Sequence, residues 1–264
     1  MLTKKLDEAR NAFRARDPEA SRMVHETRRT HAAEMHGTSG HYIKSFVYGG
    51  LDGIITTFAV VAGVAGAELA SNIVLILGFA NLIADGISMA LGDFLSTRAE
   101  NEFTATERKR EEWEVDNFPE GEKHEMVEIY ESKGIPRADA ELIVEKLAPH
   151  RRAWVDVMMR EELGIVEDGK PALPNAIVTF VSFLVFGFVP LLTYVFSYIF
   201  PAIAPRAFLV ACILTGVTLF LLGAAKAWVT RRAWYRAGIE MLLVGGIAAV
   251  AAYLIGDVLA RFTQ

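Results

Sequence analysis

Four side chains with metal-binding chemistry lie inside long apolar stretches of the sequence. Asp52 falls in one stretch, and Asp85, Met89 and Asp93 fall in the next. The last three are spaced four residues apart, which places them along one face of a helix. A carboxylate in hydrocarbon costs at least ~2.5 kcal/mol on insertion scales, so an acid there is expected to have a function. Carboxylates combined with a thioether suit a divalent transition metal, so these four residues are predicted to line a transport path.

A second group of metal-binding residue types lies in the polar middle of the chain. Two pairs of Glu, each with i, i+3 spacing, flank Pro119, where a turn can bring their two helix faces together. A Met and a Glu with i, i+4 spacing follow on a later helix. Together these residues predict a site for iron or manganese, although charge alone leaves open an ordinary solvated acidic face. The predicted ligands are Glu111, Glu114, Glu122, Glu125, Met158 and Glu162.

The composition indicates a chain divided between lipid and water. Of its 264 residues 52% are hydrophobic, yet it carries 27 basic and 32 acidic residues. Residues 97–170 hold twenty of the acids and twelve of the bases, for a net charge of −8. Such segregation does not fit one soluble domain. The single cysteine, Cys212, excludes a disulfide framework or a Cys-based zinc site within one chain.

Five apolar stretches are long enough to cross a bilayer, which takes ~20 helical residues. They are predicted near 45–67, 72–95, 174–198, 206–229 and 237–259. The predicted fold class is an all-α membrane protein with five transmembrane helices and a cytosolic helical metal-binding domain inserted between spans two and three. The predicted domains are a cytosolic N-terminal tail over 1–44, spans one and two over 45–96, the inserted domain over 97–172 and spans three to five over 173–264.

Basic residues in the connections predict the orientation. The loop 230–236 and the segment before span one are rich in Lys and Arg, whereas the connections at 67–72 and 198–206 offer a single Arg206. The positive-inside rule then places the N-terminus and residues 96–172 in the cytosol and Gln264 outside it. Spans one and two run antiparallel in this arrangement. Asp52 and Asp85 are therefore both expected roughly 12–15 Å below the cytosolic surface.

Two weaker patterns concern the tail and span one. Leu2, Leu6, Ala9 and Phe13 have the spacing of an amphipathic helix that would lie on the membrane surface. The four tail histidines could contribute to metal binding or be ordinary surface residues; they are His25, His31, His36 and His41. In span one, Gly49 and Gly53 form a G-x-x-x-G motif, which makes this span a candidate dimer face.

Three motifs resemble those of the vacuolar iron transporter family. Tyr48 to Phe58 is similar to its first-span signature, and Ser88 to Asp93 is similar to its second-span signature. The stretch from Arg110 through both Glu pairs to Gly134 resembles its cytosolic domain. Three departures are visible: Asp93 stands where the family often has Glu, Met126 stands where it usually has Leu, and the polar tail is long.

This resemblance implies a homodimer of five-span subunits with the transport path between them. It implies export of ferrous iron from the cytosol in exchange for protons, with related metals such as manganese sometimes carried. Asp52 and Met89 match transport-path positions of the family. The six residues predicted above as ligands match the ligands of the family's cytosolic domain.

The chain is therefore predicted to be a transporter and not an enzyme, with Fe²⁺ or Mn²⁺ as substrate and no prosthetic group. The predicted spans contain no histidine, no H-E-x-x-H and no G-x-S-x-G, which disfavours intramembrane enzymes. A membrane-anchored metal sensor or buffer without transport is the alternative. The expected partners are a second copy, membrane lipid, metal ions and protons, without nucleic acid. A bacterial inner membrane and a vacuolar-type membrane both fit the sequence.

Overall fold

The structure is a computed structural model that describes residues 15–20, 23, 39–166, 169, 171–230 and 233–263. The predicted amphipathic segment from Leu2 to Phe13, three of the tail histidines, the side chain of His41 and Gln264 lie outside these residues.

From Ser39 onward, all regular secondary structure in the described residues is helical, as the sequence predicted. A short 3-10 helix, Pro201–Arg206, precedes the seventh of eight α-helices. The α-helices are α1 Ser39–Gly66, α2 Ser71–Asn117, α3 Pro119–Ser132, α4 Arg137–Leu147, α5 Arg151–Glu161, α6 Ala172–Ile199, α7 Ala207–Thr230 and α8 Trp234–Thr263.

Five helices are long and apolar enough to cross a membrane, which confirms the predicted number of spans. The qualifying stretches are Tyr42–Gly66, Ser71–Asn117, Ala172–Ile199, Pro201–Ala227 and Trp234–Phe262. The second is much longer than a bilayer requires. Its 47 residues extend about 70 Å at 1.5 Å per residue. Since hydrocarbon is ~30 Å thick, the polar half of α2 must continue beyond the lipid.

Proline and glycine residues lie at the boundaries of the helices that follow, and Pro119 marks the turn that the sequence predicted. Pro119 occupies the first turn of α3, where its missing N–H costs no hydrogen bond. Gly134 has a φ of +88° and ends α3 with a hydrogen bond from its N–H to the carbonyl of Glu131. Pro149 lies in the break between α4 and α5.

The chain forms two compact units. The first contains the described residues up to Ala84 and from Val181 onward, and the second is Asp85–Phe180. We call them the membrane unit and the helical unit. The helical unit contains the predicted inserted domain, residues 97–172, together with the adjoining turns of α2 and α6.

In the membrane unit, α8 packs along α1 and α7, and glycines permit close approach of the helices. A Cβ added at Gly53 would overlap the carbonyl oxygen of Phe183 on α6. One added at Gly66 would overlap the carbonyl oxygen of Tyr253 on α8. These glycines of α1 therefore contact helices of the same chain. The homodimer, with span one as its candidate face, stays a prediction.

The helical unit has its own apolar core. The buried residues that form it are Val115, Met126, Val127, Ala140, Val144, Trp154, Val155, Met158 and Met159. Ion pairs join α5 to the polar half of α2. Arg151 makes two contacts of 2.7 Å with the carboxylate of Asp116, and Arg108 Nη2 lies 2.7 Å from Asp156 Oδ1. These contacts fix the end of α2 against α5, two of the three segments that carry predicted metal ligands.

Candidate metal centre

Three of the predicted ligands meet in the helical unit. Glu111 on α2, Glu122 on α3 and Glu162 just after α5 each offer a carboxylate oxygen, and these oxygens lie within 4.8 Å of one another. We call these three residues the carboxylate cluster.

The helix period places the carboxylate cluster beside the apolar core. Positions four apart lie on the same helix face. Glu111 precedes the buried Val115 by four residues, and Glu122 precedes the buried Met126 by four. On α5 the order is reversed, because Glu162 follows the buried Met158. Packing of the three core residues therefore brings the three carboxylates to one place.

Two of these carboxylates are buried, and three of their oxygens have no hydrogen-bond partner among the described residues. The side chain of Glu111 is 0% exposed and that of Glu122 is 6% exposed. Among the described residues, neither oxygen of Glu111 has a hydrogen-bond partner, and Glu122 Oε2 has none either. A buried carboxylate oxygen without a hydrogen bond is unfavourable, and a bound cation would relieve that cost. Carboxylate oxygens are suitable ligands for Fe²⁺ and Mn²⁺.

Burial is the main cause of the raised pKa values in the cluster, and the charges of neighbouring carboxylates are the second cause. Burial, reinforced by the charge of Glu162, raises the pKa of Glu111 from 4.5 to about 7. Burial, reinforced by Glu125 and Glu114, raises the pKa of Glu122 from 4.5 to about 7. The pKa of Glu162 is also raised, again mainly by burial. The metal-free cluster thus holds protons near neutral pH, and a metal must displace them.

The other three predicted ligands surround the cluster in different ways. Glu125 is exposed, and its charge acts on both Glu122 and Glu162. Glu114 acts on all three members of the cluster, but its Oε2 accepts a hydrogen bond of 2.7 Å from Arg110. Met158 is completely buried in the core, one turn before Glu162. The structure therefore gathers all five predicted Glu residues into one acidic site.

A basic residue contacts this site: Arg110, which begins the motif that resembles the family's cytosolic domain but had no predicted role. Arg110 Nη1 lies 2.7 Å from Glu114 Oε2, Nη2 lies 2.9 Å from Glu111 Oε1, and Nε lies 3.1 Å from Glu107 Oε2. Two of these three carboxylates belong to predicted ligands. The i, i+4 spacing to Glu114 and the i−3 spacing to Glu107 were visible in the sequence.

The predicted transport residues lie on α1 and α2. Asp52 is half-buried on α1, and its carbonyl accepts a 2.8 Å hydrogen bond from Thr56 Oγ1. Asp85, Met89 and Asp93 are half-buried along one face of α2. The large apolar residues between them, Ile87 and Leu91, are exposed. A helix of a soluble protein buries its apolar residues and exposes its acids, whereas this part of α2 exposes large apolar residues and half-buries the acids. The pattern suits a membrane span whose apolar face contacts lipid.

Asp93 has a buried partner within the helical unit. Its Oδ2 accepts a hydrogen bond of 2.6 Å from Thr179 Oγ1 on α6. Thr179 is 0% exposed. The sequence analysis did not identify Thr179, which lies 86 residues further along the chain.

Comparison with known proteins identifies the family. The sequence profile that describes the VIT family matches residues 43–257. A vacuolar iron transporter of Toxoplasma gondii is 41% identical over 96% of this chain and 88% of its own length. One of Plasmodium falciparum is 38% identical over 98% of both chains. Vacuolar iron transporter 1 of Arabidopsis thaliana is 36% identical over 86% of this chain and 90% of its own.

These relatives are named transporters, in agreement with the prediction that the chain is a transporter and not an enzyme. The match covers the two span motifs and both Glu pairs from which the resemblance was recognised. The chain is therefore an integral membrane protein with five candidate spans that belongs to the VIT family.

Proposed function

We propose that this protein exports divalent iron from the cytosol in exchange for protons, and that its helical unit collects the metal. The names of the relatives support iron as the substrate. The observation that carries the collecting role is the carboxylate cluster, whose buried oxygens lack hydrogen-bond partners among the described residues.

The helical unit would concentrate metal before transport. The net charge of −8 over residues 97–170 attracts cations from solution. The carboxylate cluster then offers three oxygen ligands from three separate segments, and the charges of Glu114 and Glu125 act on it. Oxygen ligands accept Fe²⁺ and Mn²⁺ alike, so manganese is a plausible second substrate. Met158 would add a softer ligand that favours iron.

The membrane path would use Asp52 together with the polar face of α2. Asp85, Met89 and Asp93 repeat along that face every four residues, or about 6 Å of helix rise. A metal ion can move along such a face from one carboxylate to the next. Proton coupling follows from competition, since a carboxylate must lose its proton before it binds metal. Protons that enter from the far side would then release the metal there.

The proposal includes an orientation and an assembly. The N-terminus and the helical unit face the cytosol, and the C-terminus lies on the other side, because the Lys- and Arg-rich connections favour the cytosolic face. Two copies assemble as a homodimer around the path. The membrane is a bacterial inner membrane or a vacuolar-type membrane.

The second candidate function is a membrane-anchored metal sensor or buffer. The carboxylate cluster supports it, because a metal site in a folded domain can act without transport. The half-buried acids on α1 and α2 favour transport instead, since a buffer has no use for carboxylates inside a span.

Uptake of Fe²⁺ into proteoliposomes under a proton gradient tests the proposal, with reductant present and Mn²⁺ and Co²⁺ measured in parallel. Wild-type protein is expected to take up Fe²⁺ only when the gradient is imposed, and Asp52→Ala is expected to abolish uptake. Asp257→Asn is the matched control, because Asp257 is an acid of α8 that pairs with Arg261 at 2.7 Å. Folded wild-type protein that moves none of the three metals would refute transport and favour the buffer.

A further inference from the structure

Arg110 places a permanent positive charge beside the carboxylates of the acidic site. Its guanidinium contacts Glu111 and Glu114, two of the predicted ligands, at 2.9 Å and 2.7 Å. The third contact, at 3.1 Å, is with Glu107, which belongs to no predicted ligand set. The Arg110 side chain is 42% exposed, so it has a route to solvent.

Arg110 is the basic group that opposes the crowding of the carboxylates. The charges of Glu114, Glu125 and Glu162 raise the pKa values of their neighbours, whereas the charge of Arg110 lowers the pKa of every member of the carboxylate cluster. Burial works against the charge on Arg110 itself. Hydrogen bonds to Glu107 and Glu114 nevertheless leave its pKa above the ordinary value, so the guanidinium stays charged at neutral pH.

We propose that Arg110 is a resident counter-charge: its guanidinium neutralises Glu111 and Glu114 when no metal is bound and is displaced when a divalent metal binds. The inference rests on the metal-collecting function proposed above. It assigns to a basic residue the role of setting the affinity of the site.

The contacts explain why displacement is required. The hydrogen bond from Arg110 to Glu114 uses a lone pair that a metal ligand must offer to the ion, and the ion pair with Glu111 places the guanidinium beside a second ligand. A metal at a carboxylate distance of ~2.0–2.6 Å would also lie next to the positive guanidinium. Glu107 provides an alternative position, because it lies one turn before Arg110 and already accepts a hydrogen bond from Nε. The displaced guanidinium can therefore keep one partner while it leaves the other two.

This arrangement has two consequences. The metal-free helical unit is stabilised, since Arg110 offsets part of the repulsion among five Glu residues. Metal affinity is reduced, since each metal must first break two ion pairs. A monovalent ion has too little charge to displace the guanidinium, so the site would discriminate in favour of divalent metals.

Mn²⁺ binding to the full-length protein in detergent tests the inference, with free Mn²⁺ quantified by its paramagnetic resonance signal. Arg110→Gln is expected to bind Mn²⁺ about tenfold more tightly than wild type, because a competing charge has been removed. Arg98→Gln is the matched control. Arg98 forms an exposed i, i+4 pair with Glu102 on the same helix, at 2.7 Å, and its loss should leave affinity unchanged.

Thermal unfolding gives a second readout that a merely structural role would not reproduce. Without metal, Arg110→Gln should unfold at a lower temperature than wild type. With saturating Mn²⁺ the two should unfold at similar temperatures, because the guanidinium is already displaced in the wild type. A structural residue would lower both unfolding temperatures.

Arg110→Lys covers the case in which Arg110→Gln does not fold. Lysine keeps the charge but cannot contact two carboxylates with one planar group, so it should tighten binding by a few-fold. Affinity that is unchanged or weaker in the folded variants would overturn the inference. Loss of Mn²⁺ binding in Glu122→Gln establishes that the site itself is correct. If wild-type protein binds no Mn²⁺, the proposed site fails and the inference fails with it.

Discussion

Thr179 Oγ1 donates a hydrogen bond of 2.6 Å to Asp93 Oδ2 and so joins α6 to α2 within the helical unit. The Thr179 side chain is 0% exposed, and Asp93 is the last of the three predicted transport residues on α2. A hydrogen bond this short is directional, so Thr179 fixes the orientation of the Asp93 side chain.

Thr179→Val should impair transport without unfolding the protein. Valine keeps the shape of threonine but cannot donate, and an intramolecular hydrogen bond contributes ~0.5–1.5 kcal/mol. We expect the rate of Fe²⁺ uptake into proteoliposomes to fall by up to about tenfold, and Thr179→Ser to retain most of it. Uptake by Thr179→Val at the wild-type rate would show that Asp93 does not need this partner.

Glu122→Gln should stabilise the metal-free protein and weaken its metal binding. The amide is neutral, so it relieves both the burial of charge and the repulsion from Glu125 and Glu114. We expect the metal-free variant to be more stable by on the order of 1–3 kcal/mol above neutral pH. Mn²⁺ affinity should fall roughly a hundredfold, because one of three clustered ligands loses its charge.

The control for that variant is Glu128→Gln on the same helix. Glu128 is 63% exposed and pairs with His124 at 3.2 Å, away from the carboxylate cluster. The Glu128→Gln substitution should leave both the stability of the protein and its Mn²⁺ affinity unchanged. Equal effects of the two substitutions would indicate a general response to charge and not a specific site.

The stability of the metal-free helical unit should decrease as pH rises. The pKa values of Glu111 and Glu122 are raised from 4.5 to about 7, so between those values the folded form binds more protons than the unfolded form. Stability is then greatest below the unfolded pKa and is lost toward the folded pKa, by on the order of 2 kcal/mol. Thermal unfolding in detergent from about pH 5.5 to 8 measures this loss, and the opposite slope would contradict it.

Metal binding should show the complementary dependence. At about pH 6.5 each Mn²⁺ must displace protons from Glu111 and Glu122, whereas at about pH 8.5 both are already ionised. Calorimetry in two buffers of different ionisation enthalpy should therefore detect proton release that disappears at the higher pH. Proton release that is independent of pH would rule out these two carboxylates as ligands.

The sequence predicted the helices well because their signals are local. Five apolar runs are visible without tertiary information, and the third, near 174–198, corresponds to α6, Ala172–Ile199. Pro119 and Gly134 act through the backbone of their own neighbours and mark the ends of helices. The five Glu residues could also be grouped from spacing, because each pair had to lie on one helix face.

The roles within that group could not be predicted in the same way. Glu111 and Glu114 are equivalent by spacing, yet the structure buries the first and leaves the second half-exposed beside Arg110. Side chains three residues apart on a helix differ in direction by about 60°, so both lie on one side of α2. Only the packing of α3 and α5 decides which of the two is buried. The bond from Thr179 to Asp93 depends on tertiary contact alone and had no sequence signal.

Gly53→Ala should destabilise the membrane unit. The added methyl would overlap the backbone of Phe183, which cannot move aside as a flexible side chain could. We expect a loss of ~1–3 kcal/mol and a lower unfolding temperature in detergent. Gly246→Ala on α8 is the control, since a Cβ there has no neighbour within 4 Å and should have no cost. Equal stability of the two variants would contradict the close approach of α1 and α6.

Met158→Leu should separate core packing from metal selectivity. Met158 is 0% exposed, and leucine fills a similar volume, so the loss of stability should stay below ~1.5 kcal/mol. If its sulfur is a ligand, affinity for Co²⁺ should fall several-fold more than affinity for Mn²⁺, because the thioether favours the softer metal. Met126→Leu is the matched control, since Met126 is 1% exposed in the same core but is not a predicted ligand. A Co²⁺ to Mn²⁺ affinity ratio that is the same in both variants would leave Met158 as a core residue only.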